Sequence, residues 1–403
     1  MNQYSDHHRG HVVAGIAGFG TYAPSTRITA EELAQQANIP VERLTEGIGF
    51  THIHKANDDE HPFTMGLLAA NDALLDAGIR GEDIDLVIFV SAGDYDYRFW
   101  CPSSAIVREL GCHHAYSFEV KNGCAGGNLA CNIAMGLMDR DSSVKTALVI
   151  CADTLTRVVN PKIVECQPLL YFGDGAAAVV LKRNHPRYQL LSFAEHTDGD
   201  LGDLLRIEAG GTRMPINADF KDWTKTYSKV DASAFAHLID QVYLKEYLAV
   251  IKKALERSGH DVSEMEYILM NQVKSSLRTH ILEGIGMPQS HTYISMGEFG
   301  HIGPADCLFT MAKAHREGLL TEGKLAILGG ERLKTGTLHF FLKHFPQCFF
   351  VLYDQYFHGF ILLFICLPVK SQSRGSRRSS LYLLHVFGNI VFHFFYFFLG
   401  RGK

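Results

Sequence analysis

Two apolar runs constrain this chain most: Ile84-Asp-Leu-Val-Ile-Phe-Val90 and Ala147-Leu-Val-Ile-Cys151. A strand with one face in water alternates apolar and polar side chains; these runs barely alternate, so both faces of their sheet must be covered. Helical patterns lie between such runs. Thr29 caps a helix beginning Ala-Glu-Glu-Leu, and further helices are predicted over 61–78 and Pro102–Leu110. Strands are predicted at His11–Phe19, at Tyr171–Leu181 with its Gly-Asp-Gly turn, and at Tyr188–His196. The second half repeats the style. It has a helix over Ala234–Ser258, a strand at Tyr267–Met270, a helix over Ser275–Gly284 and a strand at His291–Ile294. A glycine-rich loop at Ser295–Gly303, a helix over Pro304–Glu317 and a strand at Leu325–Leu328 complete it. The alternation predicts an α/β layered fold with a mostly parallel sheet. Two halves of similar order point to a duplicated unit, residues 1–185 and 186–345, followed by an atypical hydrophobic tail, 346–403.

Composition narrows the function. A formal net charge of −5 and a pI near 6.5 argue against a nucleic-acid phosphate binder. The nine cysteines are odd in number and form no CxxC pair, which fits a reducing, cytoplasmic compartment better than a disulfide framework. The pairs His7-His8, His52/His54 and His113-His114 read as surface or loop histidines, and neither metal nor cofactor is expected. The N-terminus lacks the charged-then-apolar pattern of a signal peptide.

Chemistry concentrates at Val120-Lys-Asn-Gly-Cys-Ala-Gly-Gly-Asn-Leu-Ala130. A strand-like run, Tyr116–Val120, feeds an Asn-Gly turn, then Cys124, then Ala/Gly-rich helical sequence to about Met138. A thiol at a helix N-terminus faces free N–H groups and the positive end of the dipole, which favour a nucleophilic thiolate. Its own amide is placed to meet a carbonyl oxygen. Ala125, Gly126 and Gly127 leave room for a backbone or ligand to approach. The competing reading is a buried structural cysteine in a glycine-rich turn.

The rest of the chain weighs on that choice. Gly47-Ile-Gly-Phe-Thr-His-Ile53, Asn122-Gly-Cys-Ala-Gly-Gly127, Phe172-Gly-Asp-Gly-Ala-Ala-Ala-Val-Val180, Asn271-Gln272 and Gly300-His-Ile-Gly303 occur in that order. Together they resemble the 3-oxoacyl-[acyl-carrier-protein] synthase III branch of the thiolase superfamily, over roughly residues 11–330. The resemblance implies a five-layered αβαβα architecture of two pseudo-symmetric halves and a homodimer. It implies that Cys124 takes an acyl group from acyl-coenzyme A or an acyl-carrier protein as a thioester. A malonyl-carrier-type acceptor then receives it with decarboxylation, in fatty acid biosynthesis or secondary metabolism.

The departures from the family pattern are specific. The family's Cys-His-Asn set has its histidine slot filled here by Asn271 and its asparagine slot by His301, thirty residues apart as in the family. Both side chains can donate a hydrogen bond to a thioester carbonyl, but only His301 can act as a base near neutral pH. It takes the Cys124 proton if its ring reaches; otherwise activation falls to the helix terminus. The family's tryptophan and arginine for coenzyme A are not evident around Val41–Glu46. Lys274 stands where the family has an asparagine and is the one candidate for a donor phosphate. Two other readings stay open: a non-decarboxylating acyltransferase to an amine or alcohol, and a non-catalytic partner subunit of a condensing enzyme.

Thr337–Leu342 is predicted as a last strand, after which the resemblance stops. Leu381–Gly400 is an uncharged, Phe-rich stretch near bilayer-spanning length, interrupted by His385, Asn389 and His393. Membrane contact, packing on the dimer, and sequence added by a shifted reading frame are three readings of this tail. Its patternless composition favours the last.

Overall fold

In the computed structural model, residues 12–199, 202–231, 243–320 and 324–329 are described. The two apolar runs lie side by side near the middle of a five-stranded sheet. Across it the strands run Ala14–Tyr22, Asp174–Arg183, Thr146–Thr154, Leu86–Val90 and Tyr116–Val120. The last three are mutually parallel, whereas Asp174–Arg183 is antiparallel to both its neighbours. The sheet is therefore mixed, not mostly parallel. A strand buried on both faces reads the same whichever way it runs.

Alternate residues feed opposite cores. Val87, Phe89, Leu148, Ile150, Ala176 and Ala178 pack on Met65, Ala69 and Ala73 of the Pro62–Ala77 helix. Leu86, Ile88, Val90, Val149 and Val179 pack on Ala130 and Ala134 of Gly126–Arg140 and on Leu308 and Ala312 of Asp306–Arg316. Small residues let the helix and sheet close up: a Cβ on Gly20 would lie 1.8 Å from the Ala69 carbonyl oxygen. Thr29 caps Ala30–Ala37 in a reciprocal capping box with Glu32, as the sequence predicts.

Beyond residue 185 two parallel strands, Met265–Met270 and Leu325–Gly329, pair with each other. One face, through Leu269, joins the core that holds Asp306–Arg316; the other, through Ile268 and Met270, packs on the helices Leu244–Ser258 and Ser275–Ile285. Two predicted strands are not formed. Tyr188–His196 makes only an isolated bridge between Gln189 and Gly15, and His291–Ile294 only one between Thr292 and Ile268. The helix predicted over Pro304–Glu317 divides into a tight turn at Gly303–Ala305 and the helix Asp306–Arg316. The strand expected at Thr337–Leu342 and the tail 346–403 lie outside the described residues, as does the start of the helix expected at Ala234. Among the described residues no helix is long and apolar enough to cross a membrane.

Candidate active site

Strand Tyr116–Val120 ends at the sheet edge, and the chain reverses through Asn122 and Gly123. Gly123 has φ +57°, a left-handed conformation that glycine adopts without strain. Cys124 follows in the single turn Gly123–Ala125, which runs on into the helix Gly126–Arg140. The expected strand, turn and helix entry are all present. The glycines after the cysteine serve close approach: a Cβ on Gly127 would lie 2.5 Å from the Pro304 carbonyl oxygen, and one on Gly126 2.6 Å from a Val90 methyl. Through that contact the loop Gly300–Ala305 comes down onto the nucleophile turn.

His301 sits in this loop and is 2 % exposed. Its Nε2 lies 3.0 Å from Cys124 Sγ, so the ring does reach the thiol. Its Nδ1 meets Oδ2 of Asp306, the first residue of the following helix, itself 1 % exposed. That carboxylate is held from two further directions: Oδ2 accepts from the Gln272 N–H at 2.7 Å and Oδ1 from the Ile302 N–H at 2.8 Å. The rings of Phe172 and Tyr171 lie beside the imidazole, with centroids 5.3 and 5.9 Å away. Burial disfavours a charged imidazole. Even so, the Asp306 carboxylate, the Cys124 sulfur and the hydrogen bonds to both outweigh that penalty and hold His301 well above the usual imidazole range.

Asn271 directly follows strand Met265–Met270 and is 1 % exposed; its N–H donates to the Gly329 carbonyl at 2.9 Å. Its neighbour Gln272 is the link to the reacting groups. Gln272 gives its N–H to Asp306, and its side-chain oxygen accepts from Ser295 N–H at 3.0 Å and Met296 N–H at 2.8 Å. This brace sets the start of the segment that carries His301. Lys274 immediately precedes the helix Ser275–Ile285, whose Ser275 N–H donates to the Ile48 carbonyl at 3.2 Å. This backbone contact puts the lysine next in chain to a residue that touches the Gly47–Ile53 loop.

Asp306 is the site residue that sequence reading missed. Inside a predicted helix it looks like an ordinary first-turn acid favoured by the dipole. The available signal was Gly-His followed five residues later by Asp across a Gly-Pro break. The Gly-Asp-Gly aspartate has a structural place: Asp174 accepts from Ala56 N–H and Thr156 N–H, both at 2.8 Å, and from Thr156 Oγ1 at 2.6 Å. Among the described residues no group of three or more metal-ligating side chains comes together, and the seven cysteines are free thiols.

Comparison with known proteins adds relatives to this geometry. A family model described as 3-oxoacyl-[acyl-carrier-protein (ACP)] synthase III matches residues 118–199, and its C-terminal counterpart matches 255–331. The beta-ketoacyl-[acyl-carrier-protein] synthase III of Caldanaerobacter subterraneus is 26% identical over 320 residues, 78% of this chain and 93% of that one. The acetoacetyl CoA synthase NphT7 of Streptomyces sp. is 28% identical over 318 residues, 78% of this chain and 94% of that one. The crystal structure of 3-oxoacyl-[acyl-carrier-protein] synthase III from Aquifex aeolicus superposes with a TM-score of 0.68 at 23% identity, covering 78% and 94% of the two chains.

Proposed function

This chain belongs to the 3-oxoacyl-[acyl-carrier-protein] synthase III family of thiolase-like condensing enzymes, and from that footing we propose that Cys124 carries an acyl group between a thioester donor and a carbon nucleophile. The observation that carries the proposal is the 3.0 Å approach of His301 Nε2 to Cys124 Sγ, with Asp306 behind the ring. In the first half-reaction His301 takes the thiol proton as sulfur attacks the thioester carbonyl. The carbon–sulfur bond of the donor breaks, and the departing thiolate takes that proton back. In the second, a malonyl-carrier-type acceptor loses carbon dioxide, and the resulting enolate carbon attacks the acyl-Cys124 carbonyl and frees the thiolate. Asn271 is the proposed hydrogen-bond donor for the enolate oxygen, joined by His301 once its ring has taken up from solvent the proton that finally restores the Cys124 thiol.

We assign the donor as acyl-coenzyme A or an acyl-carrier protein, with Lys274 the proposed phosphate contact on the side of the Gly47–Ile53 loop. We further take the whole protein to be a cytoplasmic homodimer of five-layered αβαβα subunits, with pseudo-symmetric halves 1–185 and 186–345. Of this, the layering alone has support here, in the packing of helices on both faces of the strand pair at 265–270 and 325–329.

One observation favours a second acceptor. A histidine backed by a carboxylate is a good base for an attacking amine or alcohol, which a decarboxylating reaction does not require. The experiment is mass spectrometry of the intact protein with panels of acyl-coenzyme A and acyl-carrier thioesters, followed by malonyl-carrier. An adduct on Cys124 that is discharged with release of carbon dioxide supports condensation. An adduct discharged only by amines or alcohols supports the second reading. No adduct with any donor overturns both and leaves the non-catalytic subunit.

A further inference from the structure

We infer that Asp306 is a positioning residue for the Cys124 reaction: its carboxylate fixes the tautomer and the orientation of His301, so that Nε2 is the atom offered to the sulfur. The inference deepens the function proposed above and rests on Cys124 being the acyl acceptor.

An imidazole alone is ambiguous. It carries its proton on either nitrogen, and its ring can turn over about Cβ–Cγ. Here both freedoms are removed by groups fixed elsewhere in the chain. Asp306 Oδ1 is tied to the Ile302 N–H in the loop, and Oδ2 to the Gln272 N–H just past the end of a strand. The carboxylate is therefore located by backbone from two segments. Neither donor belongs to the helix Asp306–Arg316, so Asp306 is not acting as an ordinary helix cap. Both carboxylate oxygens already accept backbone N–H groups, so the hydrogen shared with His301 belongs to Nδ1. Nε2 is then the nitrogen that faces Cys124 Sγ and exchanges the thiol proton with it. The groups acting electrostatically on His301 are Asp306 from its own segment and Cys124 from the nucleophile turn; Tyr171 and Phe172 present ring faces. When Nε2 takes the thiol proton, the new positive charge lies against a carboxylate already in place, with no solvent to rearrange.

The test reads the pair without any substrate. Peptide-resolved mass spectrometry follows the rate of iodoacetamide alkylation at Cys124 against pH, with the exposed Cys101 in the same molecule as reference. The proteins are the full-length wild type, Asp306→Asn, Asp306→Ser, His301→Ala and the double variant D306N/H301A. Near pH 6 the wild-type Cys124 is expected to react about 100-fold faster than in either Asp306 variant, the lower end of what a positioned base contributes. At high pH the rates should converge, because hydroxide then removes the proton. Cys101 should not change. Because Asp306 acts through His301, the double variant should lose nothing beyond His301→Ala alone. Profiles that superimpose in wild type and a folded Asp306 variant overturn the inference. So does a double variant that loses more than His301→Ala, since that is a purely architectural role. Should both Asp306 variants fail to fold, histidine-labelled wild type decides: a strongly downfield Nδ1 proton of His301 supports the inference, and a neutral ring protonated on Nε2 overturns it. A shifted alkylation profile with no thioester adduct on Cys124 would sink the proposed function and leave Asp306 as inferred.

Discussion

The backbone N–H of Gln272 donates to Asp306 Oδ2 at 2.7 Å across 34 residues of chain, and the Gln272 side chain simultaneously accepts the N–H groups of Ser295 and Met296. One residue thus fixes the carboxylate behind His301 and the loop that leads to it. Replacing Gln272 with Ala leaves the backbone hydrogen bond but orphans two buried amides. At about 1–3 kcal/mol for each unsatisfied group, Gln272→Ala should lower stability by about 3 kcal/mol. Urea unfolding measures this; a loss inside the noise of ordinary surface variants would show that the brace is not tight.

Gly300 has φ +68° and ψ −153°, a region that residues with a Cβ avoid, and a Cβ there would lie 2.4 Å from the Tyr171 carbonyl oxygen. Strain of about 1–3 kcal/mol adds to that clash, so Gly300→Ala should cost about 3 kcal/mol or more. The displacement falls on His301, the next residue. Cys124 alkylation near neutral pH should therefore drop in the fraction that still folds. Wild-type alkylation in a destabilised Gly300→Ala protein would mean that the loop absorbs the change elsewhere.

Acylation itself has two sharp expectations. Cys124→Ala should form no covalent adduct with any thioester while melting like the wild type. His301→Ala should acylate about 10²- to 10⁴-fold more slowly, since the base that touches the sulfur is gone. Stopped-flow release of free coenzyme A or carrier thiol measures both. Unchanged acylation in His301→Ala would return activation to the helix terminus alone.

Asp153 gives a pH signature of stability. Its carboxylate is 1 % exposed and accepts from Ser91 Oγ, Ala92 N–H and Gly93 N–H, each at 2.8 Å. Burial nonetheless pushes its carboxyl up to about 6. An unfolded aspartate titrates at about 3.9. Between these values the folded protein holds the extra proton, so this group's contribution to stability falls as pH rises from about 4 to 6 and is flat above. The span is on the order of 3 kcal/mol. Asp153→Asn has no such proton. The stability of wild type relative to this variant should therefore rise as pH is lowered from 7 to 4, read from urea midpoints. Parallel curves would refute the assignment.

Much of the fold is legible in the chain because burial on both faces leaves a mark. The runs ending at Val90 and Cys151 name the central strands, and the glycines after Cys124 name the close approach. Strand direction is not legible, since Ala14–Tyr22 and Asp174–Arg183 are as apolar as their parallel neighbours. The segments at Tyr188–His196 and His291–Ile294 have strand-like composition but gain only single bridges. At the site, His301 is legible only through the family resemblance, whose thirty-residue separation from Asn271 it keeps; its contact with Cys124 is not legible. Nor is Asp306, because which way a first-turn acid points depends on a Gly-Pro break and on an amide from residue 272. Local propensity contains neither.

The sulfur of Cys124 and the ring proposed to activate it come from positions 177 residues apart. During synthesis the cysteine emerges long before its partner exists. On the proposed mechanism, a chain whose C-terminal portion has not yet docked presents the sulfur without the ring. The proposed nucleophile and its base thus meet only as a consequence of completed folding.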